Sequence, residues 1–229
     1  KADGNKYATK LAVTEGKGRL NLQASADLKK KANGDFDMNR FAYQAKIQAR
    51  NIQAKHFLPK QDLYSFTGDV VASGVGTDFL SPRTRMKAKA RVASVHYGKY
   101  KIGNLLAVAN IANGKIHADV DSKNDYLKGL VSLDALTNSK NIQATVTADV
   151  RHADLYRFQI TQVPMMAALC GHVDVNTDLG DNYNVQASIG DITLRTKEKT
   201  YRPVDVLVDL YTRRDTTHAI ADCGDFHLN

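Results

Sequence analysis

The chain has 229 residues, of which 43% are hydrophobic and 24% charged, and its formal net charge is +8 at pH 7. This composition excludes a disordered chain, and the length suits one large all-β unit or two ordinary domains. No apolar run approaches the roughly 18 residues of a membrane-spanning helix, and no stretch has the apolar core of a signal peptide. Because the chain opens on Lys1 rather than Met, we expect it to be an internal piece of a longer protein.

The positive charge is spread thinly along the chain. A net charge of +8 could suit an anionic partner such as nucleic acid or lipid headgroups. However, Lys and Arg alternate with apolar residues, are interleaved with Asp, and form no dense run with aromatic residues between them. This distribution predicts solvated strand surfaces, and we expect no nucleic-acid partner.

The first half of the chain alternates apolar and polar residues, the pattern of β-strands with one apolar face. The predicted strands cover residues 7–13, 20–28, 43–54, 66–76, 86–92 and 102–110. The alternation slips phase at Ile52 and Ala54, which indicates a bulge. Turns are expected at residues 15–18 and 97–100, and Asn113-Gly114 is a strong two-residue turn signal.

The clearest pattern runs from residue 114 to residue 151. Three alternating segments, at residues 116–121, 127–135 and 142–150, are separated by short polar stretches, and Leu130 is the single exception to the alternation. A strict period of two with short polar turns predicts a three-strand antiparallel meander.

The remainder of the chain continues the same theme after one interruption. Residues 153–164 break the alternation, and we expect one helical turn there around Leu155, Tyr156 and Phe158. Further strands are predicted at residues 169–175, 185–189, 201–211 and 216–226. No apolar period of 3.6 persists over ten residues, so the chain is predicted to be all-β with about fourteen strands. We treat residues 1–229 as one segment, with weak breaks near 58–63 and 153–165.

The apolar positions of these strands are unusually small. Small residues at such positions include Ala118, Gly129, Ala135, Ala144, Ala148, Ala187, Ala219 and Ala221. An open sheet of about fourteen strands curls. If the side chains on its inner face are too small to fill the enclosed space, the curled antiparallel sheet forms an elongated hydrophobic groove. The alternative is a closed β-sandwich whose two sheets bury the same residues against each other. The alternation alone does not separate the two.

If the sheet forms a groove, its larger apolar residues line it. The predicted lining residues are Leu20, Leu22, Ile47, Ile116, Val120, Leu127, Val131, Leu133, Ile142, Val146, Val150, Val173, Val175, Val185 and Ile189. Each buried CH₂ group contributes about 0.8 kcal/mol, so a long acyl chain could gain on the order of 10 kcal/mol gross. Because similar residues recur on successive strands, this gain changes little along the groove. Val131→Asp or Val146→Asp is therefore expected to block passage of lipid.

Five segments of the chain resemble a known family. They are residues 77–82 (TDFLSP), 95–100 (VHYGKY), 148–156 (ADVRHADLY), 213–219 (RRDTTHA) and 222–226 (DCGDF). They are similar to segments of the TamB-type translocation and assembly proteins of Bacteroidetes, members of the AsmA-like group, and the resemblance covers most of the chain.

The resemblance implies a function without catalysis. It implies an internal segment of a long periplasmic β-groove that conducts phospholipids between the inner and outer membranes and is linked to outer-membrane biogenesis and protein assembly. The full-length protein would be anchored in the inner membrane and would meet an outer-membrane assembly protein through regions outside this chain. The function of the alternative fold would be that of an adhesion or interaction module without a lipid ligand.

Catalytic and metal-binding motifs are weak in this sequence. Gly74-Val75-Gly76 begins like a dinucleotide fingerprint, but position 79 is Phe and no helix is predicted after it. Cys223, Asp225 and His227 could share a strand face as zinc ligands, and Cys170 could pair with His172, but no further ligand or orienting group is apparent. We expect no enzyme activity, no cofactor and no metal, and we expect both cysteines to be small buried residues, with a disulfide between them as the alternative.

Overall fold

The computed structural model describes residues 2–3, 5–57, 60, 62–138, 140–213, 216–224 and 226–228. This part of the chain contains sixteen strands, two of them only two residues long, and is 70% strand and 3% helix. The chain divides into two compact units, Lys1–Gly114 (unit 1) and Lys115–Asn229 (unit 2).

Unit 1 is an antiparallel meander in which each strand pairs with the next along the chain. Its strands are β1 (Ala2–Asp3), β2 (Lys6–Glu15), β3 (Gly18–Asp27), β4 (Ala42–Ile52), β5 (Leu63–Val75), β6 (Arg85–Tyr97) and β7 (Tyr100–Ala112). A short 3₁₀ turn (Met38–Arg40) precedes β4, and a one-turn helix, α1 (Ala54–Phe57), follows it.

Unit 2 repeats the arrangement. Its strands are β8 (Lys115–Lys123), β9 (Leu127–Asn138), β10 (Asn141–Asp154), β11 (Met166–Thr177), β12 (Tyr183–Arg195), β13 (Thr200–Tyr201), β14 (Val206–Arg213), β15 (Thr216–Cys223) and β16 (Phe226–Leu228). β13 and β14 both pair with β12, and the other described strands of unit 2 pair with their neighbours along the chain within that unit.

These observations confirm the predicted fold class: all-β, antiparallel and not closed on itself, with fourteen strands when the two-residue ones are set aside. Within each unit the described strands form a single sheet, whereas a β-sandwich requires two sheets packed face to face. Buried apolar residues are correspondingly few among the described residues. They are Ala49, Ile52, Ala54, Ile111, Ala135, Ala153 and Ala167.

The predicted turns are present, and each contains a glycine with a positive φ angle. Gly16 and Gly98 both have φ of 55° between paired strands. Asn113 (φ 55°) and Gly114 (φ 73°) have the two positive angles of a type I′ turn, as the Asn-Gly dipeptide predicts.

The phase slip at the end of β4 is a bulge, as predicted. The register between β4 and β5 shifts between Ala49 and Ile52, and Asn51 lies in the left-handed region with φ of 49°. The strand prediction that continued to residue 54 is wrong, because β4 ends at Ile52 and Ala54 begins α1.

One further sequence prediction needs correction, and another is confirmed. The single strand expected at residues 201–211 is split into β13 and β14, because Pro203 lies between them and cannot donate a hydrogen bond to a sheet. The helical turn expected around Leu155 forms as a single α-turn, in which Phe158 N donates to Asp154 O, and it is not continued because Gln159 has φ of 56°.

The boundary between the two units lies at Gly114, and the weak breaks expected near 58–63 and 153–165 fall inside unit 1 and unit 2 respectively. That the chain is one segment of a longer groove stays a prediction. No helix in the described ranges is both long and apolar enough to cross a membrane.

Candidate functional site: the apolar sheet faces

The apolar residues of unit 1 lie in rows that cross β2 to β7 on one face of the sheet, which we call the apolar face of unit 1. Cross-strand register places each member of a row opposite the next. The rows are Tyr7, Ala26, Tyr43, Gly74, Met86 and Ile111; Thr9, Ala24, Ala45, Ala72, Ala88 and Ala109; Leu11, Leu22, Ile47, Val70, Ala90 and Ala107; and Val13, Leu20, Ala49, Gly68, Val92 and Leu105. In the second row five consecutive strands contribute alanine, so little side-chain volume rises above the backbone there.

A cavity of about 830 Å³ lies at one end of these strands, around the row that contains Tyr7, Tyr43 and Met86. Residues of all six strands from β2 to β7 line it. Six strands in a flat sheet would extend about 24 Å, which is too wide for one such cavity to touch them all. The sheet of unit 1 therefore curls around its apolar face at this end.

Tyr43 is the largest side chain in the middle of this row, and it lies over Gly74 on the next strand. A Cβ atom at Gly74 would lie 2.6 Å from the Tyr43 hydroxyl oxygen and 2.5 Å from the Arg85 carbonyl oxygen. Burial raises the pKa of Tyr43 above its ordinary value. Phe41 stacks on the Tyr43 ring with centroids 5.6 Å apart. The glycine thus makes room for an aromatic wall of the cavity.

Unit 2 has an equivalent apolar face across β8–β12, β14 and β15. Its rows are Ile116, Ala135, Ala144, Val175, Val185, Leu210 and Ala219; Ala118, Leu133, Val146, Val173, Ala187, Val208 and Ala221; and Val120, Val131, Ala148, Gly171, Ile189 and Val206. A Cβ atom at Gly171 would meet only the Ala148 methyl group, at 3.6 Å, so this face has free space beside its backbone.

All fifteen residues predicted to line a groove lie on these apolar faces. Twelve are members of the rows above, and Leu127, Ile142 and Val150 lie on the same face of β9 and β10 outside those rows. Leu20, Leu22 and Ile47 belong to unit 1, and the other twelve belong to unit 2. None is fully buried: Val120, Val131 and Ile189 are 40–41% exposed, and the rest are half-buried. Such intermediate exposure is typical of a sheet face that packs against nothing but its own neighbours.

The apolar face of unit 2 ends in a row of hydroxyl groups. Thr177, Tyr183, Thr212 and Thr217 occupy successive strands, and the Thr212 and Thr217 hydroxyl oxygens are 2.7 Å apart. Hydrogen bonds from Thr212 and then Thr217 lower the pKa of Tyr183. A cavity of about 380 Å³ borders this row. The face therefore changes from aliphatic to hydrogen-bonding along its strands.

On the opposite, polar face of unit 2, His117 lies between two carboxylates. Its Nδ1 is 2.7 Å from Asp134 Oδ1 and its Nε2 is 3.1 Å from Asp119 Oδ2. The hydrogen bond that His117 donates to the Asp134 carboxylate, and then the one to Asp119, raises the pKa of His117. Ser132 donates to the other oxygen of Asp119, at 2.6 Å, and this bond is the main cause that lowers the pKa of Asp119. The Ser132 hydroxyl donates to the Asp119 carboxylate and not to the imidazole of His117, so the cluster differs from the serine–histidine pair of a histidine-activated nucleophile.

The cysteine predictions are only partly right. Cys170 is exposed rather than buried, because it lies on the polar face of β11, and Cys223 is half-buried. Both are free thiols, so the alternative of a disulfide is wrong. His172 binds Asp174 at 2.8 Å. Among the described residues no group of three or more His, Cys, Asp or Glu side chains could hold a metal; Asp225 and the His227 side chain lie outside the described part.

The two units differ sharply in charge. Residues 1–114 contain 20 Lys and Arg against 8 Asp and Glu, a formal net charge of +12. Residues 115–229 contain 12 against 16, a net charge of −4, which together gives the +8 of the chain. Although basic residues are spread thinly along the chain, the net positive charge is concentrated in unit 1.

Comparison with protein-family models, curated proteins and solved structures finds no match for this chain.

Proposed function

We propose that the chain is a segment of a bridge-like conduit for phospholipids, in which acyl chains lie against the apolar faces of the two units. The single observation that carries this proposal is the exposure of those faces. Rows of Ala, Val, Leu and Ile cross six or seven strands in each unit, and most of their members remain half-buried or exposed. A soluble protein rarely leaves so continuous an apolar surface without a partner for it.

An acyl chain fits this surface better than a folded protein partner does. The rows have few large side chains, and each covered CH₂ contributes about 0.8 kcal/mol whichever row it meets. Neighbouring rows offer similar residues, so movement from one to the next changes the binding free energy little. The hydroxyl row at the end of unit 2 offers hydrogen bonds to a polar headgroup.

The cellular setting of the proposal rests on the family resemblance of the sequence. A conduit of this kind would work in the periplasm, in a full-length protein anchored in the inner membrane. An outer-membrane assembly protein would be engaged by regions outside this chain. An adhesion module built on a closed sandwich is disfavoured, because each unit has a single open sheet.

The proposal is tested by native mass spectrometry of the purified chain, followed by organic extraction. We expect phospholipid to co-purify at a reproducible ratio and to be replaced by added phospholipid of another chain length. A clean apo mass, together with no uptake of phospholipid on challenge, would contradict the proposal.

A further inference from the structure

The polar face of unit 1 carries a patch of lysines that the conduit does not use. Two adjacent rows on this face are Lys10, Gln23, Lys46, Val71, Lys89 and Val108, and Ala8, Ser25, Gln44, Ser73, Lys87 and Asn110. Neither row contains an acidic residue. We call Lys46 on β4, together with Lys87 and Lys89 on β6, the lysine patch.

The charges of the lysine patch are not neutralised within the described part of the chain. None of the three ammonium groups forms an ion pair there, and all three residues are exposed. The nearest acidic position in the adjoining row is Asp69, which already binds Arg50 with both carboxylate oxygens at 3.0 Å. The charge of Lys46 also lowers the pKa of Asp69, but its effect is smaller than that of Arg50.

Exposed valines lie within the same row as the lysines. Val71 separates Lys46 from Lys89 and is 50% exposed, and Val108, next to Lys89, is 39% exposed. At a strand spacing of about 4.8 Å, Lys46 and Lys89 lie about 10 Å apart with an aliphatic side chain between them. Cationic heads around aliphatic groups match the headgroup region of an anionic bilayer.

We propose that the polar face of unit 1 docks on an anionic lipid bilayer through the lysine patch. Charge complementarity identifies the partner, since the patch is positive and lies in the unit with a net charge of +12. Curvature favours a bilayer over a folded protein or a second copy of the chain. Unit 1 curls around its apolar face, so its polar face is convex, and a deformable membrane can meet a convex surface without a matching concave partner. The lysine patch lies on the face opposite to the apolar rows, although Lys87 and its row also border the unit 1 cavity, and the proposal does not depend on the conduit.

The test is vesicle co-sedimentation of the full 229-residue chain. We expect binding to vesicles of phosphatidylcholine mixed with phosphatidylglycerol, little binding to phosphatidylcholine alone, and release at high salt. The triple variant K46Q/K87Q/K89Q should bind about a hundredfold more weakly, since each of the three basic residues near the surface contributes roughly fivefold.

A matched control is K115Q/K123Q/K128Q, which removes three exposed strand lysines from unit 2 and changes the net charge equally. It should retain most of the binding. V131D, on the apolar face of unit 2, should also retain it, which separates docking from acyl-chain uptake.

Three results would overturn the proposal. One is the absence of any preference for anionic vesicles, and another is an equal loss in the two triple variants. The third is a different occupant: salt-sensitive oligomers or binding to double-stranded DNA that K46Q/K87Q/K89Q abolishes, while vesicles are not bound.

Discussion

The hydroxyl oxygen of Tyr43 leaves no room for a side chain at residue 74, because a Cβ atom built on Gly74 would lie only 2.6 Å from it. Tyr43 and Gly74 face each other across β4 and β5. The aromatic wall of the unit 1 cavity therefore depends on the absence of a side chain on the neighbouring strand.

Gly74→Ala should destabilise the chain by about 1–3 kcal/mol, because both the Tyr43 side chain and the backbone around Arg85 must move. The free energy of unfolding, measured by urea titration with circular dichroism, tests this expectation. Gly171→Ala is the matched control, since its Cβ would make only an ordinary contact at 3.6 Å with Ala148. Equal stability of the two variants would show that Tyr43 does not depend on Gly74.

His117 should titrate above the ordinary histidine pKa of about 6.5. The hydrogen bond that the ring donates to Asp134 is the main cause, and the one to Asp119 follows. Histidine NMR signals followed against pH measure this value directly. Asp134→Asn should bring the pKa of His117 down towards its ordinary value. An unshifted His117 in the unmodified chain, or no effect of Asp134→Asn, would contradict the geometry.

The same histidine links stability to pH. Because its pKa is raised in the folded state, the contribution of protonated His117 is fully present below the unfolded pKa of about 6.5 and is lost as the pH rises through the folded pKa. The stability advantage of the unmodified chain over His117→Gln should therefore be larger at mildly acidic pH than at alkaline pH. Thermal unfolding of both proteins across this range measures it, and a difference that does not vary with pH would exclude the linkage.

Cys170 should react slowly although it is exposed. Desolvation, then the charges of Asp191 and Asp149, raises the pKa of its thiol, so less thiolate is present at a given pH. Its rate of alkylation by iodoacetamide should be lower than that of free cysteine, and Asp191→Asn should increase it. A thiol count of two under denaturing, non-reducing conditions checks that Cys170 and Cys223 are not joined.

Alternation along single strands is enough to predict most of this fold. It identifies the strands, the apolar face and the exception at Leu130, because side-chain direction in a strand depends only on position in the chain. The break between β13 and β14 was not predicted, although Pro203 lies inside the predicted strand and signals it. The sequence does not reveal α1, since four residues carry no period.

The candidate site was harder to predict, because it is built from rows that run across strands. The row with Tyr7, Tyr43 and Met86 requires the register of six strands, and its cavity requires the curl of the sheet. The lysine patch has the same origin: Lys46 is distant in sequence from Lys87 and Lys89, and only strand pairing brings them to adjoining rows. The prediction that Cys170 is buried is wrong. Free cysteine is usually a small buried residue, whereas the position of Cys170 in β11 places it on the polar face.

Leu130 and Val131 offer the most direct test of the lipid path. They are adjacent in β9, are 39% and 40% exposed, and point to opposite faces of the same sheet. A charge on the apolar face repels an acyl chain and costs roughly several kcal/mol when covered by it, whereas a charge on the polar face remains in water.

The decisive measurement is the uptake of a fluorescent phospholipid by the unmodified chain, V131D and L130D, each checked for folding by circular dichroism. We predict that V131D takes up at least about tenfold less lipid than the unmodified chain, while L130D takes up nearly as much as the unmodified chain. Equal uptake by the two folded variants, or a loss confined to L130D, would contradict a lipid path along the apolar face.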